Sequence, residues 1–408
     1  MRGKVIHLLC FLAVAALFLD GQAQTPTCWR GPGRNGIYPG SGLLKQWPAG
    51  GPEILWSFGE LGKGHSSAIV DQGFVFATGM TGTTGYLYKF DLQGNLVYKK
   101  PYGPEFTSSY EGSRGTPTIM GDKIYIFSGG GTLYCLDNET GNILWRKELM
   151  KDLKGSLIQW GMNETPVIDG KVIYITPGGG KNGLVALNRH TGDLIWSSPG
   201  MGEQAAYCTP LLFVHNGRKI LVTHFESHLA GFDAITGRML WSQRHTNEWS
   251  VHPNTPIYHE GRLFYLSGYG QGGGMLELSP DGSAVTRVWT HKMDSRLGGA
   301  VLVDGYVFGA GDESRVWSCL DWETGKEQYT SGELAPGAVI YADGMLYCYS
   351  ERGELALVDP DPSGFRVVSL TRVTLGSEQH WAHPVIYDGV LYVRHGRALI
   401  AYNIKQGV

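Results

Sequence analysis

The chain repeats itself, and its last repeat is one strand short. An aliphatic strand ending in Asp or Asn, a Thr-Gly turn and a strand ending in Trp recur as LYCLDNETGNILW to Trp145, LVALNRHTGDLIW to Trp196 and LAGFDAITGRMLW to Trp241. Degraded copies are LYKFDLQGNLVY to Tyr98, MLELSPDGSAVTRVW to Trp289 and WSCLDWETGKEQY to Tyr329, while LALVDPDPSGFRVV has lost its aromatic. Each is preceded by a hairpin with a Gly-bearing turn, such as Asp169-Gly170, Asn216-Gly217, Asp304-Gly305, Asp343-Gly344 and Asp388-Gly389. Such pairs favour tight hairpins because both residues accept positive φ. Eight hairpins and eight third strands give eight units of roughly 40–50 residues, the period of propeller blades.

Only seven third strands are followed by a fourth. The last unit stops at Ala398–Tyr402, but Ile54-Leu55-Trp56-Ser57-Phe58 stands before the first hairpin with nothing local to pair with and ends like the fourth strands at Trp145 and Trp196. Docked beside Ala398–Tyr402 it completes the eighth sheet and closes a ring. Closure removes the open sheet ends that invite edge pairing; a linear solenoid would need capped ends instead. The expected fold is therefore all-β: an eight-bladed propeller of four-stranded antiparallel blades over residues 54–404, preceded by an irregular arm at 24–53.

Residues 1–23 read as a cleavable secretory signal, with Arg2 and Lys4, an apolar run from Val5 to Leu19, and small Gly21 and Ala23. The apolar run is short for a membrane span, so the expected location is periplasmic or secreted, with no transmembrane segment after cleavage. Five Cys remain beyond it, an odd number with no framework spacing; Cys135 and Cys319 share one repeat position and read as small buried hydrophobes. A net charge of −3 gives no basic surface for nucleic acid.

Strand direction sorts the loops onto two faces. The Asp-Gly hairpins and Thr-Gly turns share one face, where the residues are repetitive. The loops entering each first strand share the other face, and they vary: Lys63 and His65; Glu111 and Arg114; Trp160, Asn163 and Glu164; Glu203, Gln204 and Tyr207; Trp249, His252 and Asn254; Asp294 and Arg296; Gln379, His380, Trp381 and His383. First strands line the axis of a propeller, so these groups are expected to converge on its central opening as a ligand pocket of aromatic platforms and polar groups. The alternative is a water-filled channel, with the Trp residues packed between blades.

The Asp-x-x-Thr-Gly-x-x-x-Trp pattern, complete at Asp137–Trp145 and Asp233–Trp241, resembles the repeat of pyrroloquinoline-quinone (PQQ)-like eight-bladed propellers. With CWRGPGRNG (28–36), LGKGHSS (61–67) and WAHPVIYDG (381–389), the chain is similar to a compact secreted bacterial subgroup often labelled alcohol dehydrogenase-like. The likeness runs over about residues 28–404. It implies the fold more strongly than an activity, since fold does not fix function. The family includes quinoprotein alcohol dehydrogenases, which hold PQQ on a Trp beside calcium with an Asp as base, and a non-enzymatic outer-membrane-assembly lipoprotein. On the enzymatic reading Glu111, Asn163, Glu164 and Asn254 are the oxygen ligands available to calcium. Arg114 or Arg296 would meet the quinone carboxylates, and Asp294, the only Asp in these loops, would be the base. Neither adjacent cysteines nor a haem-attachment motif accompanies them. Three readings stand: a binding propeller for a small molecule, carbohydrate or protein segment; a quinone-dependent dehydrogenase of alcohols or sugars; and an envelope scaffold. A polysaccharide-cleaving enzyme on the same face is a more distant fourth.

Overall fold

The computed structural model describes residues 25–297 and 299–407, so the segment read as a secretory signal lies outside the described residues. Eight four-stranded antiparallel sheets form the ring. Blade 1 spans Ile69–Pro104, blade 2 Thr118–Glu148, blade 3 Val167–Ser198, blade 4 Leu211–Arg244, blade 5 Ile257–His291, blade 6 Ala300–Ser331 and blade 7 Gly337–Arg372. Blade 8 contains Val385–Tyr387, Val390–His395 and Ala398–Asn403, and its outer strand is Glu53–Phe58. That strand runs antiparallel to the chain's last strand, with Glu53 opposite Asn403 and Phe58 opposite Leu399, as the orphan-strand argument requires.

One local device recurs around the ring. In all eight blades the register between third and outer strands slips by one residue. In six of them the extra residue, Leu55, Val97, Leu144, Ile195, Val288 or Gln328, sits just before the aromatic and is exposed. A bulge bends the strand and re-aims the next side chain, here turning the indole onto the following blade. The Nε1–H of Trp56, Trp145, Trp196 and Trp289 donates to Leu92, Arg189, Ala234 and Glu323 respectively, each carbonyl lying in the third-to-fourth turn of the next blade. The repeat's Asp supports the same turns: Asp137, Asp233 and Asp321 each accept the backbone N–H and hydroxyl of the Thr three residues on.

The core is a series of apolar layers between neighbouring sheets. Blades 1 and 2 meet through Phe76, Leu87, Ile124 and Tyr134, and blades 6 and 7 through Phe308, Trp317, Leu346 and Val358. Cys135 and Cys319 lie in such layers opposite Trp145 and Tyr329, and all five described cysteines are free and buried.

The arm does more than cross the ring. Thr27 bridges to Ile119 in the innermost strand of blade 2, Arg30 donates to Ala300 O in blade 6 at 2.6 Å, and Ile37 bridges to Tyr341 in blade 7. Arg34 donates to Pro166 O at the entrance of blade 3. Segment 27–37 therefore loops into the axis from the hairpin face, where Thr27 also donates to Asp71, and plugs it below the entrance loops. The chain leaves on the hairpin face, where Leu43 N–H meets Asp343 at 2.8 Å and Leu43 bridges to Lys405.

A cavity at the centre of the variable face

Four successive first strands are entered through a Thr-Pro step: Thr116-Pro117, Thr165-Pro166, Thr209-Pro210 and Thr255-Pro256. Proline fixes φ and holds the preceding Thr extended, which points these residues at the axis in a regular order. The steps are stitched together. Thr116 Oγ1 accepts from Ser67 N, Thr209 Oγ1 accepts from Thr165 N, and Thr255 Oγ1 donates to Thr209 O. Thr116, Thr165 and Thr209 thus surround the inner chamber of a central cavity of about 110 Å³, with Trp29 of the arm and His383 also in its wall. This recurring dipeptide was visible in the sequence and marks the cavity better than the polar residues around it.

An outer chamber of about 190 Å³ continues from the first and shares Arg114, Asn163, Tyr207, Arg296 and Trp381 with it. Trp381 forms one wall, its ring 5.1 Å from His65 and 5.0 Å from Tyr110. Trp160 forms another, 6.2 Å from Tyr207, whose hydroxyl accepts the Trp160 backbone N–H. Trp249 extends this wall to the rim, edge-on to Trp160 at 5.8 Å and half exposed.

Three basic groups line the space. His65 has both ring nitrogens shut off from solvent without a hydrogen-bond partner. Burial, reinforced by the charges of Arg114 and Arg394, pushes its pKa down to about 3 against a weak pull from the Tyr110 backbone, so the ring is neutral near pH 7. Arg296 is held from behind by Asp312 at 2.7 Å and Glu351 at 3.0 Å. Arg114 donates to the carbonyls of Ser109 and Tyr110, both at 2.7 Å, and lies 5.2 Å from the Phe106 ring.

Eight of the candidate residues meet at the cavity: His65, Arg114, Trp160, Asn163, Tyr207, Arg296, Trp381 and His383. Trp249 stands at the rim beside them, and the others are placed elsewhere. Lys63 and Glu111 pair at 2.6 Å beside a separate depression with Glu378 and Arg397. Glu164 is buried and accepts Thr176 N with both oxygens, and burial drives its pKa well above the carboxylate range. His252 is buried against His224, their rings 4.9 Å apart. Asn254 donates to Ser295 O at 2.6 Å. Asp294 accepts the amides of Gly270, Asp312 and Glu313, and His380 stacks on His395 at 3.6 Å with Tyr349 hydroxyl on its Nδ1. These side chains brace loops. A polar residue in an entrance loop can face the axis or the next blade, and only the packed structure decides which. Glu203 and Gln204 likewise bind His228 and Ser156.

The calcium-and-quinone arrangement does not fit these residues. Calcium needs six to eight oxygens, several of them carboxylate, yet among the described residues no Asp or Glu lines either chamber. Of the ligands drawn from the sequence only Asn163 reaches the cavity, and the Asp294 carboxylate is engaged by three amides away from it. Among the described residues no cluster of three His, Cys, Asp or Glu side chains could hold a metal ion. No helix there is long and apolar enough to cross a membrane.

Comparison with known proteins agrees with the architecture. A family model described as outer membrane protein assembly factor BamB matches residues 48–331. BamB of Kangiella koreensis is 24% identical over 213 residues, 51% of this chain and 49% of that protein. A polyvinylalcohol dehydrogenase of a Pseudomonas species is 27% identical over 150 residues, 33% of this chain and 23% of that one. The chain thus spans half or less of these curated relatives. Among solved structures, BamB from Moraxella catarrhalis superposes with a TM-score of 0.64 at 12% identity, covering 86% of this chain and 99% of that one. Quinohemoprotein alcohol dehydrogenase from Comamonas testosteroni gives 0.65 at 12% identity, covering 95% and 81%. Likeness at that identity speaks to the fold.

Proposed function

Since the chain belongs to the PQQ-like propeller family whose model is described as outer membrane protein assembly factor BamB, we propose that it is a binding propeller that takes a small ring-shaped ligand in its central cavity. His65 carries the proposal. Its ring lines the inner chamber against Trp381 with neither nitrogen in a well-formed hydrogen bond, a cost to folding that a ligand hydroxyl would relieve once the ring turns a nitrogen into the chamber. Flat walls from Trp381 and Trp160 and hydroxyls from Thr116, Thr165 and Thr209 suit a sugar-like ring. We place its action outside the cytoplasm, on the strength of Arg2, Lys4 and the apolar run that follows them.

Trp381→Ala and Trp160→Ala test the proposal in calorimetric titrations with a panel of mono- and oligosaccharides. Each variant is expected to bind at least tenfold more weakly, about 1.4 kcal/mol, while melting close to the parent. Parallel loss of stability and binding would assign the indoles to blade packing and remove the proposal.

The scaffold reading keeps one observation of its own: the outer strands of blades 8, 2 and 3 expose Ile54 and Leu55, Ile143 and Leu144, and Leu194 and Ile195. A partner held there would be lost on Leu144→Asp and Ile195→Asp and would be indifferent to Trp381→Ala. The dehydrogenase reading has no carboxylate in the cavity to work with, and reconstitution with quinone and calcium should give no alcohol-dependent dye reduction.

A further inference from the structure

We infer that the central cavity selects a ring ligand bearing a carboxylate, and that Arg114 is the group that receives it. This rests on the ligand-binding reading above and narrows it by charge.

Among the described residues the walls of both chambers contain the guanidiniums of Arg114 and Arg296 and no acidic side chain. The two cations differ in what already balances them. Arg296 is neutralised by Asp312 and Glu351, which approach it from outside the cavity. Arg114 has no such partner among the described residues: its Nη2 meets two neutral carbonyls, and its Nε is buried with no acceptor at all. The carboxyl whose field it feels, Glu105, is committed to the Tyr102 hydroxyl and to Gly129 N at 2.7 Å. Burial pushes the Glu105 pKa up to about 7, so near neutral pH it compensates Arg114 only in part. A partly buried cation without a full counter-charge carries an uncompensated desolvation cost, and a carboxylate in the chamber that reaches the Arg114 guanidinium would offset it with a charge-assisted hydrogen bond.

The position fixes the kind of anion. Tyr110 both accepts from Arg114 through its carbonyl and packs its ring on Trp381, so cation and flat wall are parts of one unit. A free inorganic anion would use the cation and leave the wall idle; a neutral ring would do the reverse. The remaining polar wall is donor-rich. Thr116 and Thr209 each accept a backbone N–H on Oγ1 and retain a hydroxyl proton to give. Two sources share this chemistry, a sugar acid and an aromatic ring acid.

The test is calorimetric titration of the purified protein with glucuronate, galacturonate, glucose, galactose and 4-hydroxybenzoate, each at low and high salt. The expected result is binding of at least one of the three acids at least tenfold tighter than either neutral sugar, weakened by salt. Arg114→Gln should abolish the preference, and Arg114→Lys, which keeps the charge but not the fork, should retain part of it. A response confined to the uronates identifies a sugar acid, and one confined to the hydroxybenzoate an aromatic acid; both uphold the inference. Equal binding of acids and neutral sugars, unchanged by Arg114→Gln, would overturn it and leave the ligand-binding reading standing. Absence of any heat from all five would overturn both.

Discussion

Trp56, on the first strand of the ring, lies directly under Gly94 of blade 1: its indole donates to Leu92 O at 3.0 Å, and a Cβ placed on Gly94 would sit 2.6 Å from the ring. The same pairing of an outer-strand Trp with the next blade's turn glycine recurs at Trp145 and Gly192, Trp196 and Gly237, and Trp289 and Gly325. The Gly and the Trp of the repeat thus serve neighbouring blades, and only the first strand carries the relationship across the closure.

Gly94 has φ +85, so Gly94→Ala combines backbone strain with a clash. The variant is expected to lose about 2 kcal/mol, measured by urea denaturation. Gly59→Ala, where a Cβ meets nothing within 4 Å, should change stability by less than about 0.5 kcal/mol. Equal effects at the two positions would detach the glycine from ring closure.

The arm should behave as part of the core. Arg30 reaches Ala300 O, Asn35 O and His383 Nδ1 from a fully buried position. Arg30→Met strands these acceptors and is expected to cost about 3 kcal/mol; Arg30→Lys should rescue little, because an ammonium cannot span the three. Trp29→Ala, by contrast, should leave the melting temperature nearly unchanged and weaken ligand binding, since Trp29 lines the inner chamber. A stable Arg30→Met protein would show that the arm is an accessory.

Asp294 separates brace from base. With three amide donors on its carboxylate, Asp294→Asn is expected to lower stability by about 1–3 kcal/mol and to leave ligand affinity within about threefold. Abolished ligand chemistry in a variant of parental stability would instead make it a catalytic group.

Acid should weaken the propeller well before its carboxylates protonate. Burial holds the pKa of His65, His252 and His383 at about 3 and of His245 and His291 at about 4, against 6.5 in an unfolded chain. These folded-state values are depressed, so the unfolded state takes up protons first. Stability is full above pH 6.5 and falls as the pH drops toward 3–4. Urea midpoints should decline between pH 7 and 5. His252→Phe, which preserves the stack on His224, should flatten the decline. Glu105, with its pKa raised to about 7, acts in the opposite sense and loses its contribution as pH rises through that value. An unchanged slope in His252→Phe would refute the assignment.

The ring was legible in the sequence because it is written in local chemistry: Asp-Gly pairs set hairpins, Thr-Gly turns space the strands, and the orphan at Trp56 declares the closure. Which entrance-loop side chains face the axis was legible only in part. Glu164 and Asp294 have the same composition and spacing as groups that reach the cavity, but they bind backbone amides of their own or a neighbouring loop. Trp29 left no repeat signal because the arm has no counterpart in any blade, and its course along the axis depends on carbonyls that blades 3 and 6 happen to present. That Arg114 lines the chambers against neutral carbonyls while Arg296 is met by two carboxylates is a property of packing alone.

The most direct measurement is a crystal structure of the protein soaked with the tightest-binding acid of the panel. The account predicts difference density at the centre of the variable face, with a carboxylate on Arg114 and the ring against Trp381 within reach of His65. Density on the outer strands or on the hairpin face, with the central cavity holding only water, would contradict it.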